Sequence, residues 1–67
     1  MNTTQYSHGR ITVKAVTTCN DDNRVRKILR ETLEESKGKR LDDLEKDIVQ
    51  NLKEKDILVA GTMLIIR

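Results

Sequence analysis

The segment Ile57 to Ile66, reading ILVAGTMLII, carries no charge in a chain of which 36% is Asp, Glu, Lys or Arg. A run this apolar gains from leaving water, so the fold must bring a sheet, a helix layer or a partner to cover it. It is about half the roughly 20 residues that a helix needs to cross a bilayer. It follows the charged stretch Lys53-Glu54-Lys55-Asp56 and is rich in Ile and Val, which predicts β structure. Gly61-Thr62 could turn it into a hairpin, Ile57 to Ala60 against Met63 to Ile66. Alternatively it is one long strand with a bulge at Gly61.

The remainder must supply the cover from limited means. Sixty-seven residues make one domain at most, and with no Phe, no Trp and a single Tyr the core has to come from Leu, Ile and Val. That favours a small helix-on-sheet layer, or a core completed across the interface of a homodimer. The lone Cys19 rules out an intrachain disulfide and suits a reducing compartment. The polar start Met1-Asn2-Thr3-Thr4-Gln5 lacks the hydrophobic run of a signal peptide. The expectation is a cytoplasmic protein without a membrane segment.

Residues 1–9 lack hydrophobic periodicity and read as a flexible N-terminal arm, leaving residues 10–67 as a single α+β domain. Arg10 to Val16 alternates, with Ile11, Val13 and Ala15 on one face and Arg10, Thr12 and Lys14 on the other, which predicts a strand with one wet face. Asn20, Asp21 and Asp22 suit a helix start. Val25, Ile28, Leu29 and Leu33 then recur on one helical face, with Arg26 and Arg30 on one side and Glu31 and Glu35 on another. Gly38 among Lys37, Lys39 and Arg40 is a stop. A second helix begins near Leu41, shows an apolar face of Leu41, Leu44, Ile48, Val49 and Leu52, and ends within residues 53–56. The expected order is strand, helix, helix, strand or hairpin, with both helices on one face of a small sheet. The expected core is Ile11, Val13, Val25, Ile28, Leu29, Leu33, Leu44, Ile48, Leu52, Leu58, Leu64 and Ile66.

Catalytic chemistry has little to stand on. His8 is the sole imidazole, and neither it nor Cys19 has neighbours at metal-ligand spacing. The acidic pairs Glu34-Glu35 and Asp42-Asp43 are adjacent and diverge around a helix. Gly9, Gly38 and Gly61 are isolated, so no phosphate-cradling loop exists. No enzymatic activity, metal, cofactor or small-molecule substrate is expected.

Charge is unevenly spread. Arg10 to Arg40 holds nine basic and five acidic residues, Leu41 to Arg67 four basic and six acidic, which places any nucleic-acid face on the first half. The strand Arg10-Ile11-Thr12-Val13-Lys14, followed by two helices parted near Gly38, resembles the ribbon-helix-helix family of DNA-binding repressors and antitoxins over residues 10–53. The resemblance implies a homodimer whose paired strands enter the major groove of double-stranded DNA. Arg10, Thr12 and Lys14 would contact bases, Lys39 and Arg40 would contact phosphates, and amides near Leu41 would clamp a phosphate. The first helix is about one turn longer than that family shows, and Asp42 and Asp43 stand where the phosphate would sit. Ile48 to Leu58 also resembles the end of a winged-helix recognition helix entering its wing, without the usual Gly at Asp56. Leu58-Val59-Ala60-Gly61-Thr62 is similar to the first hairpin loop of cystatins.

Two functions therefore compete. One is a small DNA-binding regulator acting as a homodimer through Arg10, Thr12, Lys14, Lys39 and Arg40. The other is a protein-interaction module, an adaptor or inhibitor that uses a sheet edge or a helix face to hold a protein partner.

Overall fold

The computed structural model describes all 67 residues, as β1 (Asn2–His8), β2 (Ile11–Thr17), α1 (Asp22–Glu35), α2 (Leu41–Glu54) and β3 (Val59–Ile66). The strands form one antiparallel sheet in the order β1-β2-β3, with α1 packed over β1 and α2 over β3. The α+β class and the pair of helices agree with expectation, but the order is strand, strand, helix, helix, strand.

The added strand corrects the reading of residues 1–9 as a flexible arm. Asn2 to His8 pairs with Thr17 to Ile11 without a break, through a two-residue turn at Gly9-Arg10. Gly9 has φ 61°, and a positive φ at the first turn position is the type II′ hairpin pattern, where glycine is the favoured residue. β1 escapes a hydrophobic pattern search because Asn2 and Thr4 on its helix-facing side are polar and only Tyr6 there packs on the core. Thr4 is 1% exposed, yet its hydroxyl donates to Asp22 Oδ1 at 2.9 Å. Asn2 Nδ2 donates to the same oxygen at 2.7 Å and to the Cys19 carbonyl at 3.2 Å. Alternation is preserved, with hydrogen bonds replacing greasy contact, and no buried side-chain N or O is left without a partner.

α1 is started by Asp21, whose carboxylate accepts from the amides of Asn23 (3.1 Å) and Arg24 (3.3 Å). The helices are joined across their facing sides by Asn51 donating to Thr32 Oγ1 and by Ser36 donating to Asp47. Thr32 also donates to the Ile28 carbonyl one turn back, so its buried hydroxyl is fully used.

α2 ends in a Schellman arrangement. The Asp56 amide donates to the Lys53 carbonyl and the Ile57 amide to the Leu52 carbonyl, with Asp56 left-handed at φ 60°. This closure tucks Ile57 into the core at 3% exposure and throws Leu58 outward at 68%. Leu58 is therefore not a core residue, and Ile57 takes its place.

The segment 57–66 contains a single strand rather than a hairpin. β3 pairs with β2 from Ile11↔Ile66 to Val16↔Gly61, then skips Ala60 before Thr17↔Val59. The extra residue is a bulge one position before Gly61, and it returns Val59 to the helix side. Val13, Ala15, Val25, Ile28, Leu29, Leu33, Leu44, Ile48, Leu52 and Ile57 form the buried cluster. Ile11 and Leu64 pack against it half-buried, whereas Ile66, expected inside, is exposed at the end of the edge strand β3.

Candidate functional site

Strand alternation sorts the sheet into two faces. The helix side carries Asn2, Thr4 and Tyr6 from β1, Ile11, Val13, Ala15 and Thr17 from β2, and Thr62, Leu64 and Ile66 from β3. The other face, which no element covers, carries Thr3, Gln5 and Ser7, then Thr12, Lys14 and Val16, then Gly61, Met63 and Ile65. Only Lys14 among these nine is charged. For a chain so rich in charge, this is a nearly neutral surface with apolar side chains gathered at the β3 side.

Both outer strands have a free edge. Arg67 N–H donates to the Arg10 carbonyl at 2.9 Å, which fixes the ladder phase. By alternation Thr62, Leu64 and Ile66 direct their backbone groups away from β2, and on the opposite edge Thr3, Gln5 and Ser7 do the same. Central β2 is bonded on both sides and has no edge to offer a second copy of itself.

The residues expected to contact DNA fall into separate places. Thr12 and Lys14 lie on the open face as the alternation predicts, and Arg10 sits in the hairpin turn. Lys14 and Arg10 are exposed. Thr12 is 7% exposed, and its hydroxyl is 3.0 Å from that of Ser7, so it is engaged within the sheet. Lys39 and Arg40 belong to the helix layer, in the loop between α1 and α2. Lys39 Nζ lies 2.7 Å from Asp47 Oδ2. That hydrogen bond, then the charge of Asp47, raises the Lys39 pKa, while the bonds from Lys39 and then Ser36 hold the Asp47 carboxyl below its usual range. Arg40 is exposed at the start of α2, whose first turn has no side-chain cap but contains Asp42 and Asp43.

Two cations outside that set have a clearer setting. Asp22, Arg26 and Arg30 recur at i, i+4 and i+8 on α1, and Asp22 is tied to Asn2 and Thr4 of β1. Continued at that spacing, the line reaches Arg26 and Arg30, both exposed, on the helix that packs over β1. Their spacing was visible in the sequence, but with residues 1–9 read as an arm there was no strand for them to accompany.

His8 and Cys19 remain apart. The His8 ring neighbours Tyr6 at a centroid distance of 6.5 Å, and Cys19 Sγ donates weakly to the Asp21 carbonyl at 3.6 Å. No three His, Cys, Asp or Glu side chains gather as metal ligands would. The widest surface concavity, along α2 from Asp42 to Lys53, has Val49 as its one hydrophobic lining residue, the others being charged or amide side chains. No helix is long and apolar enough to cross a membrane. No family model matches the chain, nor does any curated protein or solved structure.

Proposed function

We propose that this chain is a non-enzymatic protein-interaction module, with the edges of its sheet as binding surfaces and with β3 joining two copies into a homodimer. The observation that carries the reading is the character of β3. Edge strands of monomers are commonly guarded by Lys, Pro, a short length or an added cover. β3 runs Val59–Ile66 with no charge and no proline, its only irregularity the Ala60 bulge near its start. Met63, Ile65 and Ile66 on it, with Leu58 just before it, are exposed large apolar residues. Antiparallel pairing of two β3 strands would satisfy the free backbone groups of Thr62, Leu64 and Ile66. It would oppose no like charges and would remove apolar surface from water at about 25 cal/mol per Å².

Sedimentation equilibrium tests this. The wild-type chain is expected to be dimeric at micromolar concentration, and the double variant Met63→Lys, Ile65→Lys monomeric with an unchanged circular dichroism spectrum. Both side chains are on the open face, so the lysines burden the interface without entering the core. A wild-type chain that stays monomeric at those concentrations rejects the dimer.

Duplex DNA binding is a second reading, favoured by the exposure of Arg10, Lys14 and Arg40. It requires retention on DNA resin that weakens steeply with salt. It also requires loss of that retention on joint replacement of Arg10, Thr12 and Lys14 by Ala in a still-folded domain. Unchanged duplex affinity in the triple variant removes it.

A further inference from the structure

We infer that the free edge of β1 receives an extended acidic segment of a partner protein, which adds to the sheet as a fourth strand and is read by Arg26 and Arg30. This rests on the interaction-module reading and names the partner's chemistry at the edge that β3 does not use.

The backbone half of the site is the row of free N–H and C=O groups at Thr3, Gln5 and Ser7. β1 pairs with β2 at every position from Asn2 to His8, with no bulge, proline or charged residue along it. Such an edge templates another strand, and main-chain hydrogen bonds supply affinity without regard to sequence.

Selectivity comes from α1. Arg26 and Arg30 are exposed, and neither enters an ion pair, since Lys39–Asp47 is the only one in the molecule. Asp22, the first member of their line on the helix, is committed to Asn2 and Thr4. Glu34 follows Arg30 one turn on without forming an ion pair with it, and the other free acids of the helix, Glu31 and Glu35, line the α2 side, where they border the same surface depression as Asn51 and Lys55. Arg24 also turns to that side, donating to the Lys55 carbonyl at 3.1 Å. The β1 side of α1 is thus left with unpaired guanidinium groups.

Spacing then selects the ligand. One helical turn separates the two arginines by about 6 Å along the axis. Alternate residues of a strand, which share a face, are about 6.8 Å apart. An added strand with Asp or Glu at positions i and i+2 would therefore set one carboxylate near each guanidinium, a pairing that arginine makes in bidentate fashion. The intervening residue would face Thr3, Gln5 and Ser7, where uncharged polar or small apolar side chains fit.

The test uses a short capped peptide of alternating Glu and Val, added to the full chain while backbone amide resonances and fluorescence anisotropy are followed. Binding is expected to shift the Thr3, Gln5 and Ser7 amides. Affinity should fall roughly tenfold in the double variant Arg26→Glu, Arg30→Glu. A peptide of alternating Lys and Val should bind that variant in preference to the wild type. The inference is overturned if the β1 amides stay still, or if the charge reversal changes nothing. It is also overturned if a DNA duplex engages Arg26 and Arg30 while the Glu peptide does not. Sedimentation of the same samples separates the two readings: an intact dimer that ignores the peptide removes this inference and leaves the β3 interface standing.

Discussion

β1 and β3 flank the same central strand at nearly equal length, yet they are made of opposite materials. β1 reads NTTQYSH and attaches by the hydrogen bonds of Asn2 and Thr4 with Tyr6 packed on the core, whereas β3 reads VAGTMLII and attaches largely by apolar packing of Val59 and Leu64. Each also has a side-chain bond to its helix: Thr4 and Asn2 to Asp22 on one edge, Thr62 to Glu45 at 2.8 Å on the other. The first pair of bonds is partly buried and the second is exposed. The contrast shows that a strand can be fixed by a few well-placed polar contacts, and that an apolar strand can be fixed while much of its surface stays open.

Replacing the two acidic partners should expose that difference. Asp22→Ala leaves the buried Thr4 hydroxyl without its acceptor, takes from the Asn2 amide one of its two acceptors and removes an anion from the first turn of α1. A loss of about 1–3 kcal/mol is expected from denaturant unfolding, with amide exchange rising first in β1. Glu45→Ala, tested the same way, should stay within about 0.5 kcal/mol, because water replaces an exposed partner readily. Equal losses in the two variants would abolish the distinction between the edges.

The smallest effect belongs to neither edge and serves as a baseline in the helix layer. Asp47 has a lowered pKa and Lys39 a raised one, each chiefly through their mutual hydrogen bond. The stabilisation from Asp47 is present above its unfolded-state pKa and is lost as pH falls through the lowered folded value. That from Lys39 is present below its unfolded-state pKa and is lost as pH rises through the raised one. The difference in melting temperature between wild type and Asp47→Asn should be small at neutral pH and should narrow toward both extremes. A difference that is constant with pH would contradict the pairing.

Much of the fold was legible because most elements obey hydrophobic periodicity. The alternation at Ile11, Val13 and Ala15 and the helical stripes through Val25 to Leu33 and Leu41 to Leu52 bury most of the residues they predict, the exceptions being half-buried Ile11 and Val49 and exposed Leu41. β1 was hidden because Thr4 and Asn2 face inward through hydrogen bonds, which a hydropathy pattern does not register. The exchange of Leu58 for Ile57 turns on the left-handed Asp56, a residue type that does not advertise a helix closure as glycine does. Of the candidate site, the face of Thr12 and Lys14 could be read from alternation. The engagement of Thr12 with Ser7 and of Lys39 with Asp47 could not, since each depends on contacts between separate elements.

The place of β2 between its two neighbours also sets an order of assembly. Its contact with β1 closes through two residues, whereas Ile11↔Ile66 spans the whole helical hairpin, so local pairing is expected well before the distant strand returns. The least polar strand would then be the last to find its place. Throughout folding, Val59 to Ile66 would be open to other copies of itself, so the feature that suits β3 to join two finished chains also makes unfinished ones prone to aggregate. Pulse-labelled amide exchange would register this as protection in β1 and β2 ahead of protection in Met63 to Ile65.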